Sequence, residues 1–443
     1  MVLLIAIVLM LSMFPSLTAL SGSLYSAVPF MGRYFGPIQP LKFLFPVVLY
    51  FLWNNRSRLS LRLKKALVIG LVLLLFGTLT GGLGCGFPPE VVRESAIFIL
   101  GIGSALALML FPEGIFRKTI WAWIAIVYAS VALNVFWPAG LNFLNMHFFD
   151  PIRRVPIWGE GNIKFLMGFY DNASLGKLLA WLPWLAFWTF FVGRDETKVH
   201  RAVPWLFLFG IVLSMALVLG TTQRGPLLGL IVGLAGFLLH RRFKVKDLRM
   251  FHWGAVTAGI GILLLPILVP KPILQARILE LLQPSQNSEE NANASRLAVI
   301  GRVRLWKIAG KSVIEHPLGR WCIPPQEYEQ GGAINGAQHS HNLFLEQFVS
   351  RGWLWGLFHI GAWVYALWTT WNRKRLADSA LLGGIATTLG LGLVDHPWFV
   401  INHALILGTL LLGGLRSPEP GPVESANHGF KPDQKTRGAR PAS

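Results

Sequence analysis

Long apolar segments recur along this chain and are separated by short polar stretches. Most have about the length that an α-helix needs to cross the hydrocarbon core of a bilayer. The pattern predicts spans near residues 2–20, 38–53, 66–84, 96–112, 120–138, 174–193, 203–221, 226–240, 251–270, 353–371, 380–394 and 398–415, which makes twelve. The first segment lacks a basic leader and a cleavage site, so we expect it to be retained as a span. The predicted fold is an all-α, polytopic membrane protein.

Basic residues cluster after every second predicted span. The clusters follow the second, fourth, sixth, eighth and tenth spans, and more basic residues follow Leu415. Because Lys and Arg are enriched in cytoplasmic loops, this alternation predicts that both termini are cytoplasmic. The tail at 416–443 is rich in Pro, Gly and charge, and we expect it to be disordered.

The largest loop lies on the opposite, predicted periplasmic face. It occupies residues 271–352, between a block of nine spans in 1–270 and a block of three in 353–415. Within this loop, 297–314 is predicted to form an amphipathic helix that Pro317-Leu318-Gly319 ends. The loop then leads into 338–346, where two His, a Ser, an Asn and a Glu lie beside an apolar run.

Composition supports a membrane location and excludes several partners. The chain is 53% hydrophobic and only 14% charged, against about 25% charged in soluble proteins. The net charge of +19 is explained first by the Lys and Arg residues of cytoplasmic loops. The sequence contains no nucleic-acid-binding motif and no Walker motif. We therefore expect the protein to contact membrane lipids and not to bind nucleic acid. Cys85 and Cys322 do not have the spacing of metal ligands. Both are predicted to lie on the periplasmic face, and the sequence leaves open whether they form a disulfide.

The histidines of the 338–346 stretch are the first candidates for chemistry. His339 and His341 share a face only in an extended backbone. A helix beginning near Asn342 would place His341 at its N-terminus, where the macrodipole favours a neutral imidazole that can accept a proton. The alternative is a pair of interfacial histidines that cap a helix.

Arginines on the same predicted face could bind an anion. Arg224 lies in a very short turn without neighbouring basic residues, where it needs an anionic partner or extends to the interface. Arg302 lies one helical turn before Trp306, and Arg304 points roughly to the other side. The two could bind an anionic head group, or the helix could lie on anionic lipid.

Asp395 lies in another very short turn on that face. It could pair with Arg224, Arg302 or His341, or cap the next helix. Lys177, near the end of a span, is expected to extend its ammonium group to the interface.

Several motifs together resemble the O-antigen ligase and O-antigen polymerase superfamily of bacterial inner-membrane enzymes. The resemblance rests on Gly301-Arg302-x-x-x-Trp306, His316-Pro317-Leu318-Gly319, His341-Asn342-Leu343-x-Leu345-Glu346, Arg351-Gly352-Trp353-Leu354-Trp355-Gly356 and the arginine turn Thr222-Gln223-Arg224. The His-x-His-Asn form is more similar to the ligase branch. Gly225-Pro226 and Arg320-Trp321 depart from the usual residues, which affects local loop shape.

The resemblance implies a metal-independent glycosyltransferase of the GT-C type without a cofactor. The donor would be a glycan on undecaprenyl pyrophosphate, and the acceptor a sugar hydroxyl of lipid A–core oligosaccharide. Arg224, Arg302 and His341 fall on the family's essential positions, and Asp395 on a further important acid. His341 would be the general base, with both arginines on the pyrophosphate. His339, Asn342, Arg304 and Asp395 would support them.

Two alternatives stay open at this point. One is an O-antigen polymerase, which uses a different acceptor. The other is a lipid or glycan transporter, which typically has broken helices and charges near the bilayer midplane. The candidate charges here gather at one predicted membrane face instead.

Overall fold

The computed structural model describes residues 1–14, 40–83, 89–144, 172–194, 203–221, 223–242, 303, 305–321, 340–373, 375–395 and 401–415. Within these ranges every regular element is a helix. Apart from one 3₁₀ turn at Arg56–Arg58, the helices are α1 (Val2–Leu11), α2 (Pro40–Asn54), α3 (Leu61–Leu83), α4 (Pro89–Met109), α5 (Glu113–Phe136), α6 (Pro138–Leu144), α7 (Asn172–Phe191), α8 (Val203–Gly220), α9 (Arg224–Arg242), α10 (305–315), α11 (Leu343–Trp371), α12 (Leu376–Gly392) and α13 (Ile401–Leu415). The all-α prediction is confirmed over this part of the chain.

Three of the described helices are long and apolar enough to cross a membrane, judged by length and composition. They are Leu61–Leu83, Val91–Met109 and Glu113–Phe136. Shorter apolar helices coincide with most of the other predicted spans. The span expected at 251–270 lies outside the described residues, and the count of twelve stays a prediction.

Close helix packing holds the centre of the bundle together. Gly229 and Gly233, one turn apart on α9, face α12, and a Cβ on Gly233 would lie 2.6 Å from the carbonyl oxygen of Gly383. Small residues allow such approach, which matters in lipid because no hydrophobic effect drives helices together there. On its other side α12 packs against α7, whose Trp181 and Trp184 are fully buried.

Basic side chains bind helix ends at one end of the bundle. Arg117 of α5 donates to the carbonyl oxygen of Val192, just after α7. Arg373, just after α11, donates through Nη1 to Gly413 O of α13 over 3.2 Å. A Cβ on Gly413 would lie 2.8 Å from the Trp188 ring of α7, so these ends adjoin. The cations thus satisfy C-terminal carbonyls, which have no partner within their own helix.

At the opposite end, α11 bends sharply at Gly352. This residue has φ 80° and ψ 178°, which interrupts the helix. The loop that follows α10 fills the bend: Trp353 N–H donates to Pro317 O over 2.9 Å, and Arg320 N–H donates to Val349 O over 2.7 Å. Backbone groups released by the kink therefore find partners in that loop.

A buried arginine lies beside the kink. Arg351 is only 3% exposed. Its Nη1 donates to Gln347 Oε1 and Ser350 Oγ, each over 3.1 Å, and its guanidinium lies 4.7 Å from the centroid of the Trp321 ring. Its Nη2 lies 4.0 Å from Glu94 Oε2 of α4. The arginine thus joins α11 to α4 and to the loop after α10.

Candidate active site

His341 lies immediately before the N-cap of α11. The Asn342 side chain accepts hydrogen bonds from Phe344 N–H and Leu345 N–H, over 3.0 and 2.9 Å. This is the usual way in which Asn satisfies the first free N–H groups of a helix. The predicted helix start at Asn342 is confirmed, and the His341 side chain is exposed.

The backbone of His341 adopts an uncommon conformation. Its φ is 51°, in the left-handed region that few residues other than Gly adopt. On one side the Asn342 cap holds the chain, and on the other Ser340 is clamped by the buried Glu346. Ser340 N–H and Oγ donate to Glu346 Oε2 over 2.9 and 2.8 Å. Such a conformation costs on the order of 1 kcal/mol and persists where neighbouring contacts enforce it.

Helix α10 completes this clamp. Trp306 Nε1 donates to Ser340 O over 3.0 Å. Leu305 and Val313 of α10 pack in one buried apolar cluster with Val349 of α11. The amphipathic helix predicted here is confirmed over 305–315 and ends before Pro317 as expected.

Asp395 lies just beyond α12 and forms an ion pair that the sequence did not predict. Its Oδ2 is 2.9 Å from Lys177 Nζ of α7, and the two side chains are only 19% and 11% exposed. The expectation that Lys177 extends to the interface is therefore wrong, because the ammonium group has a carboxylate partner inside the protein. Lys177 could have been singled out by the argument used for Arg224, since both are lone cations beside apolar segments.

The arginine turn lies against this ion pair. Arg224 is the first residue of α9, and a Cβ on the next residue, Gly225, would lie 3.9 Å from Asp395 Cβ. A Cβ on Gly176, which precedes Lys177, would lie 2.9 Å from Thr221 Oγ1. Thr221 and Gly225, on either side of the turn, are thus packed against α7 and the end of α12 respectively.

A further hydrogen bond joins the histidine segment to the same place. Asn342 Nδ2 donates to Leu393 O, two residues before Asp395, over 3.0 Å. The backbone of the arginine turn, the start of α11, the end of α12 and Lys177 of α7 therefore converge at one end of the bundle. This is the end away from the bonds that Arg117 and Arg373 make.

Some predicted site groups lie outside the described residues. These are Arg302, Arg304 and His339, the side chain of Arg224, and the cysteines Cys85 and Cys322. In the described ranges no three His, Cys, Asp or Glu side chains form a group that could hold a metal ion.

The comparisons with known proteins bear directly on this region. A family profile described as O-antigen ligase matches residues 209–360, from within α8 to beyond the kink of α11. No curated protein matches the chain. The matched residues include the arginine turn and His341, and they leave Lys177 and Asp395 outside. Apolar helices and this match indicate a multi-pass inner-membrane protein with a ligase- or polymerase-type activity. The match over 209–360 thus agrees with the resemblance of the motifs in this region to the O-antigen ligase family.

Proposed function

We propose that this protein is an O-antigen ligase. It transfers O-antigen polysaccharide from undecaprenyl pyrophosphate to a sugar hydroxyl of lipid A–core oligosaccharide. The observation that carries the proposal is the exposed His341, held at the N-terminus of α11 by Asn342 and by the Ser340–Glu346 clamp. The start of the same helix is tied to the end of α12, against which the arginine turn packs.

The proposed reaction is a single displacement. His341 takes the proton from the acceptor hydroxyl as the oxygen attacks the anomeric carbon. The bond from that carbon to the pyrophosphate oxygen breaks, and undecaprenyl pyrophosphate leaves with both bonding electrons. Arg224 and Arg302 bind the pyrophosphate and stabilise its growing charge. Attack from the face opposite the leaving group inverts the anomeric configuration.

The other candidate residues have supporting roles. Asn342 fixes the start of α11, and His339 orients the base or the acceptor. Arg304 adds positive charge beside Arg302. The role of Asp395 is considered in the next subsection. Two permanently charged guanidinium groups make a metal ion unnecessary for neutralising the leaving group.

The architecture proposed for this enzyme is of the GT-C type with twelve spans. Residues 1–270 carry nine of them, 353–415 carry three, and 271–352 form a periplasmic loop with the catalytic motifs. Both termini, including the tail 416–443, are cytoplasmic. Support comes from the helix ends bound by Arg117 and Arg373, which lie on the side opposite the site.

A transfer assay with purified protein tests the proposal. The protein is incubated in detergent with an undecaprenyl-pyrophosphate glycan and lipid A–core, and the product is separated by gel electrophoresis. Wild type should form glycan-linked lipid A–core, and His341→Ala should form none while keeping its thermal unfolding midpoint. Lys311→Met is the matched control, because the Lys311 side chain is 74% exposed and its ammonium group lies 3.6 Å from Glu315 Oε1 on the surface of α10. Normal transfer by His341→Ala refutes the base assignment.

The same assay separates the two other functions. A polymerase would lengthen the lipid-linked glycan and leave lipid A–core unmodified. A transporter would form no new covalent product. Either result overturns the ligase proposal.

A further inference from the structure

The buried ion pair between Lys177 and Asp395 lies in the candidate site, and the proposed reaction gives no step to Lys177. Lys177 Nζ is 2.9 Å from Asp395 Oδ2, and the residue is 9% exposed overall. A lysine in an apolar helix is costly unless it has a partner, and removing one member of a buried pair leaves an uncompensated charge. The two side chains therefore form one unit.

This unit holds the end of α12 in place. Leu393, two residues before Asp395, accepts the hydrogen bond from Asn342 Nδ2 at the start of α11. Val394 lies against the arginine turn, where a Cβ on Gly225 would be 3.2 Å from Val394 Cγ2. Residues 393–395 thus contact both parts of the chain that carry the proposed base and the proposed anion-binding arginine.

The position of Lys177 explains how a single charge pair can influence both the proposed base and the arginine turn. Helix α7 is buried along most of its length and packs against α12 and α8. A Cβ on its residue Gly176 would lie only 2.9 Å from Oγ1 of Thr221, the residue that follows α8. Lys177 therefore projects from a fixed helix, and its partner belongs to the segment that lies between the turn and α11.

We propose that Lys177 is a positioning residue for glycan transfer, which it serves by holding Asp395. Asp395 then neutralises a buried cation and anchors 393–395, and it does not act as the acid or base of the reaction. The inference rests on the proposed function. It adds a residue that lies outside the region matched by the family profile.

A double-mutant cycle tests this role. The variants are Lys177→Met, which keeps the length of the side chain and removes its charge, Asp395→Asn, and the two combined. Each single variant should lower kcat between about tenfold and a hundredfold, because misplacement of catalytic groups by about 1 Å has effects of that size. The KM for the lipid-linked donor should stay near the wild-type value. The kcat of the double variant should be no lower than that of the worse single variant, because the double variant contains neither of the charges that a single substitution leaves unpaired.

Three results would overturn the proposal. The first is a double variant whose loss is the product of the two single losses. The second is a raised donor KM at unchanged kcat in Lys177→Met, which would mean that the ammonium group binds pyrophosphate directly. The third is wild-type kinetics in Lys177→Met. The matched control is Lys311→Met at the exposed pair, which should retain wild-type kinetics.

Folding and the proposed function are controlled separately. If Lys177→Met does not fold, Lys177→Arg tests the proposal in its place, because arginine keeps the positive charge and can still pair with Asp395. Lys177→Arg should retain the wild-type kcat. A folded but inactive Lys177→Arg would overturn the proposal. A wild-type protein that transfers no glycan refutes the proposed function instead. In that case the thermal unfolding midpoints of the same four proteins still report whether the pair is coupled.

Discussion

Replacing Gly352 by Ala tests whether the kink of α11 depends on glycine. The residue has φ 80° and ψ 178°, a region that is essentially restricted to Gly and costs other residues about 1–3 kcal/mol. A Cβ there would also lie 2.6 Å from the Leu318 carbonyl carbon and 2.7 Å from Pro317 O. Overpacking of this kind costs about 1–3 kcal/mol. We therefore expect Gly352→Ala to lower the free energy of unfolding by about 2–6 kcal/mol.

The measurement is thermal unfolding of the purified protein in detergent, followed by tryptophan fluorescence. Gly361→Ala is the matched control, because it lies on the same helix and a Cβ there would meet nothing within 4 Å. The control should unfold at the wild-type temperature or slightly above it, since Ala is up to about 1 kcal/mol more favourable than Gly in a helix. Equal midpoints for the two variants would refute the reasoning, because they would mean that the loop after α10 can move to accommodate the methyl group without loss of stability.

Three further predictions concern the site. Glu346→Ala should reduce transfer at least about tenfold, since loss of the two buried hydrogen bonds to Ser340 costs about 1–3 kcal/mol. Hydrogen exchange of the Ser340 amide should become faster in this variant, and wild-type exchange would contradict the clamp. Arg224→Lys should raise the donor KM, because an ammonium group cannot make the bidentate contact with phosphate that a guanidinium group can, and an unchanged KM would argue against the proposed pyrophosphate binding there. Transfer should persist in excess EDTA, whereas loss restored by Mg²⁺ or Mn²⁺ would rule out the metal-free reaction.

Local signals in the sequence predicted the helix boundaries around the candidate site. Asn342 before an apolar run predicted the start of α11, and Pro317 predicted the end of α10, because caps and breakers act within a few residues. The family motifs pointed to His341 and to the arginine turn. The backbone of both segments lies at the same end of the bundle. Glu346 was visible in the motif, but its hydrogen bonds to Ser340 depend on a turn of the chain that spacing alone does not determine.

Hydrophobic periodicity by itself indicated an all-α membrane protein, and the alternation of basic clusters placed Arg117 and Arg373 on one face, where their helix ends do adjoin. Both are properties of single segments and of their order along the chain. Only the tertiary structure decided that Asp395 pairs with Lys177, which is more than two hundred residues away in sequence, and that the loop after α10 fits the bend at Gly352. These contacts depend on how rigid helices pack against one another. In lipid, small residues and buried polar pairs select that packing, and a general hydrophobic pattern does not encode it.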